Sequence, residues 1–168
     1  MRELTVYTDG SCKGNPGPGG WGAILTYGDR EKIIRGGKTN TTNNIMELTA
    51  VIETVKWLNE NYKRPCHITF VSDSRYVMMT KEKWAKWKKR KEIPNLELWE
   101  TLISEGNKGK HLLSFQHVKG HTGEVMNERC DYIAREQASK FANGEKESIT
   151  YNDALSILGG RIQNALRT

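Results

Sequence analysis

The chain has few cysteines and no long apolar run, and each shortage excludes a class of protein. Only three of its 168 residues are cysteines, and Cys12, Cys66 and Cys130 are far apart and lack metal-ligand spacing. This excludes a disulfide framework and a zinc site, so we expect reduced thiols. No stretch approaches the roughly 18 apolar residues of a membrane span, and the start MRELTVYTDG lacks the order of a signal peptide. We therefore expect a soluble, cytoplasmic protein with no membrane partner.

The charge balance is basic. The chain carries 26 Lys and Arg against 20 Asp and Glu, a formal net charge of +6. Such an excess suits a polyanionic partner, although many basic proteins bind no nucleic acid. The charged fraction of 27% is ordinary for a folded protein, and the length fits one domain plus a short appendage. Internal repeats and low-complexity stretches are also lacking.

Apolar periodicity predicts the element order βββαβααβα. Alternation of Leu4, Val6 and Thr8 is typical of a strand, whereas the spacing of Ile45 and Leu48 and their successors is typical of a helix with one buried face. The predicted strands cover residues 3–9, 21–27, 30–38, 67–72 and 111–118, and the predicted helices cover 45–59, a short segment from about 74, 94–102 and 127–142. This order predicts an α/β fold in which helices cover a mixed sheet that opens with three antiparallel strands.

The last 25 residues differ in character from the rest of the chain. We predict a domain over residues 1–143 and a C-terminal extension over 144–168. In the extension, Leu155, Leu158 and later apolar residues recur at roughly helical spacing, which predicts a helix or two half-helices. Two roles remain open for this segment, docking on its own domain or contact with a partner.

Four acidic residues are placed where different elements can converge. Asp9 is the last residue of one predicted strand and Asp73 follows another. Glu47 lies in the first turn of a predicted helix, and Asp131 lies near the start of the last one. Each alone has an ordinary explanation as a turn or cap residue, and Glu47 has capping-box spacing from Asn44. Together they suit a hard cation such as Mg²⁺, which takes oxygen ligands and binds beside substrate phosphate.

Four segments carry a resemblance to a known family. They are YTDGSCKGNPGPGGWGAIL (residues 7–25), TNTTNNIMEL (39–48), VSDSRYV (71–77) and HVKGHTGEVMNERCDYIA (117–134). These segments resemble, in order, the signature blocks of bacterial type 1 ribonuclease H (ribonuclease HI), and the resemblance extends over about residues 5–142. It implies the ribonuclease H-like fold, a five-stranded mixed sheet, three antiparallel strands and then parallel ones, with helices on its faces.

The resemblance also implies an activity. Members of the family are metal-dependent endonucleases, that is, phosphodiester hydrolases. They cut the RNA strand of RNA/DNA hybrids and leave 5′-phosphate and 3′-hydroxyl ends. By similarity, Asp9, Glu47, Asp73 and Asp131 would hold two Mg²⁺ ions, with Mn²⁺ as an alternative. His121 resembles the family's mobile histidine, which assists proton transfer or product release. The alternative is that His121 has an ordinary structural role, as a lone histidine often does.

Nucleic-acid contacts follow from the same resemblance. It assigns them to Asn15, Thr42, Asn43, Arg75, Trp84, Trp87, Lys88, Lys89, Arg90 and Asn95. Asn15 and Asn43 would contact ribose hydroxyls or base edges in the minor groove, as Glu47 would, and the 2′-hydroxyl identifies the RNA strand. Thr42 and Asn95 would form a pocket for a DNA phosphate.

Three features depart from the family pattern. Arg75 stands where a Gln is common, which exchanges an amide for a cation at a position assigned to a base or ribose contact. Asn40 stands where many relatives have an Arg, so we expect a weaker phosphate pocket. Residues 81–91 hold seven Lys or Arg with two interleaved Trp. This segment is either a solvated helix face with core tryptophans or the family's basic protrusion, shortened here between Arg90 and Asn95. In the second case cationic contacts to phosphates would make affinity fall steeply with salt.

Two other functional classes remain as rivals. A non-enzymatic hybrid-binding module is disfavoured because all four carboxylates are present. An integrase-like or transposase-like strand-transfer enzyme is opposed by the GNPGPGG and VKGHTGE segments. The Gly/Pro loop is not a P-loop, since it lacks the Lys-Ser/Thr ending. We expect a monomer whose partner is the hybrid duplex.

Overall fold

The computed structural model describes residues 1–78, 86, 93–119, 124–144 and 149–153. Its elements are β1 (Arg2–Cys12), β2 (Gly17–Tyr27), β3 (Arg30–Thr41), α1 (Asn43–Asn61), β4 (Cys66–Ser72), α2 (Leu96–Lys108), β5 (Leu112–His117), α3 (Val125–Ala142) and β6 (Ile149–Asp153). Within these ranges no helix has both the length and the apolar character needed to cross a membrane.

The sheet is mixed, and β1 lies inside it. The strand order is β5-β4-β1-β2-β3-β6. Strands β1, β2 and β3 pair antiparallel in succession, while β4 pairs parallel with β1 and β5 pairs parallel with β4. Thr5 therefore faces Thr26 on one side and Thr69 on the other. The predicted mixed α/β sheet, with three antiparallel strands followed by parallel ones, is confirmed.

Helices α1 and α3 cover opposite faces of this sheet. Leu4 and Val6 of β1 are buried in a core cluster with Met46 of α1, whereas Ile24 of β2 packs with Ile133 of α3. Successive side chains of a strand point to opposite faces, which accounts for the two clusters. The α3 backbone lies so near β2 that a β-carbon at residue 20 would overlap it, and Gly20 therefore allows the close packing.

Strand β1 and helix α2 are longer than their sequence patterns predicted. Strand β1 continues past Asp9 to Cys12, so Asp9 faces Gly22 inside the sheet and does not end the strand. The glycine-rich start of β2 has no apolar alternation to reveal this pairing. Helix α2 extends to Lys108 with Gly106 inside it, because a single glycine costs a helix only about 1 kcal/mol.

Two further predictions meet the structure only in part. The helix predicted for the extension is wrong at Ile149–Asp153, which forms a sixth strand on the edge of β3. Its sequence ITYND begins with residues of high strand propensity, and β3 offers a row of backbone partners. Of the short helix predicted from about 74, residues 75–78 form turns. The remaining parts of both segments are outside the described residues, and the domain boundary after residue 143 stays a prediction.

Candidate active site

Asp9 and Glu47 meet because α1 lies against the end of β1. The Gly10 N–H donates to Asp9 Oδ1 at 2.9 Å. A β-carbon at Gly10 would stand 2.6 Å from the backbone nitrogen of Glu47, closer than real contacts allow. The missing side chain therefore lets the start of α1 approach the strand that carries Asp9.

The start of α1 is held by its cap and by the Gly/Pro loop. Thr42 is the N-cap residue, and its side-chain oxygen accepts from the Ile45 N–H at 3.3 Å. Asn15 Oδ1, from the loop between β1 and β2, accepts from the Asn43 N–H at 2.9 Å. Because Thr42 is the cap, Glu47 is not in capping-box position, and the ordinary explanation for this carboxylate does not apply.

Three of the four predicted carboxylates converge. Asp9, Glu47 and Asp73 each contribute one carboxylate oxygen to a group in which these atoms lie within 4.8 Å of one another. We call these three residues the acidic trio. Asp73 follows the last residue of β4, so the three members come from a strand, a helix and a strand end.

Asp131 is placed beside the trio and is not a member of it. Its charge contributes to the raised pKa of Asp9, which shows that it is near. Its own Oδ2 forms an ion pair with Arg135 Nε at 3.0 Å, one helical turn further along α3. Sequence analysis missed Arg135, although the i,i+4 spacing of opposite charges in a helix was a usable signal.

Burial and neighbouring negative charges disfavour the ionised forms of Asp9 and Glu47, the two inner members of the trio. Asp9 is 4% exposed and Glu47 is 7% exposed. Burial raises the pKa of Asp9 to about 7, with a hydrogen bond from Glu47 opposing the shift and the charges of Asp73 and Asp131 adding to it. Burial and the neighbouring Asp9 charge also hold the pKa of Glu47 well above its usual value.

The trio suits a divalent cation. Glu47 Oε2 is buried without a hydrogen-bond partner in the structure, although buried polar atoms are rarely left unsatisfied. The donor set is all carboxylate oxygen, which Mg²⁺ prefers. A hard cation would neutralise the repulsion and supply the missing partner, so the residues present fit such an ion.

Two of the predicted nucleic-acid-binding residues, Asn95 and Arg75, lie near the Asp73 segment. Asn95 is the N-cap residue of α2 with φ of 59°, and its Nδ2 donates to Tyr76 Oη at 2.9 Å. Tyr76 Oη also accepts from Trp99 Nε1 at 3.0 Å. This hydroxyl links α2 to the turn after Asp73, a role that the sequence did not reveal. Arg75 is exposed in that turn.

The other predicted nucleic-acid residues divide into two groups. Asn15, Asn43 and the substituted position Asn40 are exposed, and Thr42 is half-buried at the start of α1. The residues His121, Trp84, Trp87, Lys88, Lys89 and Arg90 are outside the described part of the chain. Their predicted roles stay predictions.

The fold and the acidic trio together indicate a class of protein. A mixed sheet covered by helices, with buried carboxylates gathered at its central strand, is suited to holding a hard cation beside a phosphate ester. The class is that of metal-dependent enzymes that act on phosphodiesters.

Comparison with known proteins identifies the family. The RNase H family model matches residues 1–139, and the chain therefore belongs to the RNase H family. Ribonuclease HI of Caulobacter vibrioides is 46% identical over 142 residues, which is 80% of this chain and 91% of that protein. The resemblance drawn from the four sequence blocks is confirmed.

Solved structures agree on the fold. LC9-RNase H1, a type 1 RNase H with the type 2 active-site motif, superposes with a TM-score of 0.75 at 27% identity, covering 89% of this chain and 77% of that one. LC11-RNase H1, solved in complex with an RNA/DNA hybrid, gives a TM-score of 0.65 at 23% identity, covering 82% and 97%. At the second identity the likeness concerns the fold alone.

Proposed function

We propose that this protein is an endonuclease that hydrolyses the RNA strand of RNA/DNA hybrids at the acidic trio, leaving 5′-phosphate and 3′-hydroxyl ends. The single observation that carries the proposal is the convergence of Asp9, Glu47 and Asp73 within 4.8 Å in a chain of the RNase H family. A module that only bound hybrids would have no need of buried, mutually repelling acids, because their burial costs stability.

We assign the four carboxylates Asp9, Glu47, Asp73 and Asp131 to a pair of Mg²⁺ ions. When bound, such a pair supplies an activated water and stabilises the departing oxygen of an in-line displacement. Asp9 lies in β1 and Glu47 in α1, and these two buried carboxylates would bind the ions from the inner side of the site. Asp73 and Asp131 approach from the outer side, where Arg135 keeps the Asp131 carboxylate oriented along α3.

Hybrid recognition is assigned to exposed and half-buried residues at the start of α1, at the start of α2 and after Asp73. Asn15 Oδ1 accepts from the Asn43 main-chain N–H, so the loop that carries Asn15 is tied to the start of α1, the helix that carries Glu47. Amides in this position suit the 2′-hydroxyl and base edges of the minor groove. Thr42 and Asn95 are proposed for a DNA phosphate, and Arg75 adds a cation beside Asp73.

Further parts of the proposal concern residues outside the described ranges. His121 is proposed to assist proton transfer or product release. The basic segment 81–91 is proposed to grip the hybrid backbone through Lys88, Lys89 and Arg90, with Trp84 and Trp87 interleaved. We also propose that the protein acts as a cytoplasmic monomer.

One assay tests the function directly. Labelled RNA/DNA, RNA/RNA and DNA/DNA duplexes are incubated with the protein in Mg²⁺ or in chelator, and the product ends are mapped. We expect cleavage of the RNA strand of the hybrid alone, dependent on Mg²⁺, with 5′-phosphate ends. Hybrid binding without cleavage would favour a binding module, DNA/DNA cleavage would favour a strand-transfer enzyme, and cleavage in chelator would contradict the metal assignment.

A further inference from the structure

The members of the acidic trio are not held equally. Asp9 is paired within the sheet opposite Gly22, and Glu47 lies inside α1. Asp73 comes after the last residue of β4 and is half-buried, so no regular element fixes its backbone. Repulsion from Asp9 and Glu47 acts to push its carboxylate outward.

The last residue of β5 and the residue after it restrain the backbone on both sides of Asp73. The Val118 N–H donates to the Ser72 carbonyl at 2.9 Å. His117 Nε2 lies 3.1 Å from the Asp73 carbonyl oxygen. A carbonyl oxygen only accepts hydrogen bonds, so Nε2 must carry the proton in this contact. The imidazole therefore ties the end of β5 to the main chain of the Asp73 residue itself.

We propose that His117 is a positioning residue that holds Asp73 in place for cation binding. It touches none of the trio's carboxylates and acts only through the Asp73 main chain. Groups that orient metal ligands raise metal affinity because the ligands need not be reorganised on binding. The inference rests on the proposed function only in taking the trio as a cation site.

The test compares two histidines of the same half of the sheet. His117→Ala removes the contact to Asp73. His67→Ala is the matched control. His67 bonds Ser114 Oγ at 2.7 Å and pairs with Glu3 Oε2 at 2.9 Å, and within the described part of the chain it forms no hydrogen bond or ion pair with the trio. His117→Gln keeps a side-chain N–H donor. If His117→Ala does not fold, His117→Phe serves in its place, because phenylalanine has no side-chain N–H donor but has high strand propensity.

The main readout is Mn²⁺ affinity of the metal-free full chain by isothermal titration calorimetry. Since one hydrogen bond contributes about 0.5–1.5 kcal/mol, we expect His117→Ala and His117→Phe to weaken Mn²⁺ binding about two- to twelvefold. We expect His117→Gln to restore most of the affinity and His67→Ala to leave it unchanged. Hybrid cleavage at limiting Mg²⁺ should show a lower kcat with an unchanged KM for the hybrid.

Two results would overturn the proposal. The first is that His117→Ala and His117→Phe both bind Mn²⁺ with wild-type affinity. The second is that His67→Ala weakens Mn²⁺ binding as much as these two variants do. The proposed function fails separately, because a wild-type chain that binds Mn²⁺ but cuts no hybrid would contradict the activity and leave the positioning role of His117 standing.

Discussion

The inner carboxylates of the site, Asp9 and Glu47, differ from the outer ones, Asp73 and Asp131, in burial and in the groups that compensate their negative charge. Asp9 and Glu47 are buried on regular elements, and one oxygen of Glu47 has no partner. Asp73 and Asp131 are less buried, and Asp131 pairs with Arg135. The inner pair thus raises the free energy of the folded protein without a cation, whereas the outer pair lies where solvent and a basic partner relieve its charge.

The largest expected effect comes from removing an inner ligand. Asp9→Asn should keep the fold and hybrid binding while lowering kcat about 10³-fold. Without this ligand oxygen the cation is misplaced, and several kcal/mol of transition-state stabilisation are lost. Single-turnover cleavage of a labelled hybrid measures this loss. Asp73→Asn should behave alike, since both residues belong to the trio. Cleavage by either variant within tenfold of wild type would refute its assignment as a ligand.

A smaller effect, of opposite sign, is expected on stability. The pKa of Asp9 is raised to about 7, so the folded state binds its proton more strongly than the unfolded chain does. The stability linked to this proton is complete below the usual pKa near 3.8 and is lost as the pH rises through about 7. In chelator at pH 8, Asp9→Asn should therefore be more stable than wild type by a few kcal/mol.

Urea unfolding in chelator at pH 5 and pH 8 measures that difference. Wild type should lose stability between the two values, and Asp9→Asn should lose less. Asp131→Asn is the matched control from the outer pair, where the change breaks the bond to Arg135 and should give no stabilisation. If Asp131→Asn stabilised the metal-free protein as much as Asp9→Asn, the distinction between the inner and outer carboxylates would be wrong.

Much of the fold could be predicted because its core elements have clear periodicity. The alternation in β1 and the spacing in α1 each mark one buried face, and both elements form where expected, within a few residues. Strand β6 could not be predicted, because its pairing with β3 depends on an edge that exists only in the folded sheet. The Gly-rich start of β2 was missed because its glycines serve close packing and carry no apolar pattern.

The site was predictable as a set of residues and not as an arrangement. The motif blocks identify the four carboxylates, and helical spacing could have identified Arg135 as the partner of Asp131, but His117 as a donor to Asp73 appears only in three dimensions. The His117 contact joins residues 44 positions apart across the parallel pair of β4 and β5. The N-cap at Thr42 was likewise hidden, since Asn43 and Asn44 are equally good caps by residue type.

Proton release on cation binding is the most direct test that the acidic trio is a metal site. Calorimetric titration of Mn²⁺ into the metal-free protein at pH 7, repeated in buffers of different ionisation enthalpy, counts the protons released. Because the pKa values of Asp9 and Glu47 are raised, saturable binding should release protons in wild type and fewer in Asp9→Asn. Absence of saturable binding, or proton release that Asp9→Asn leaves unchanged, would contradict the assignment.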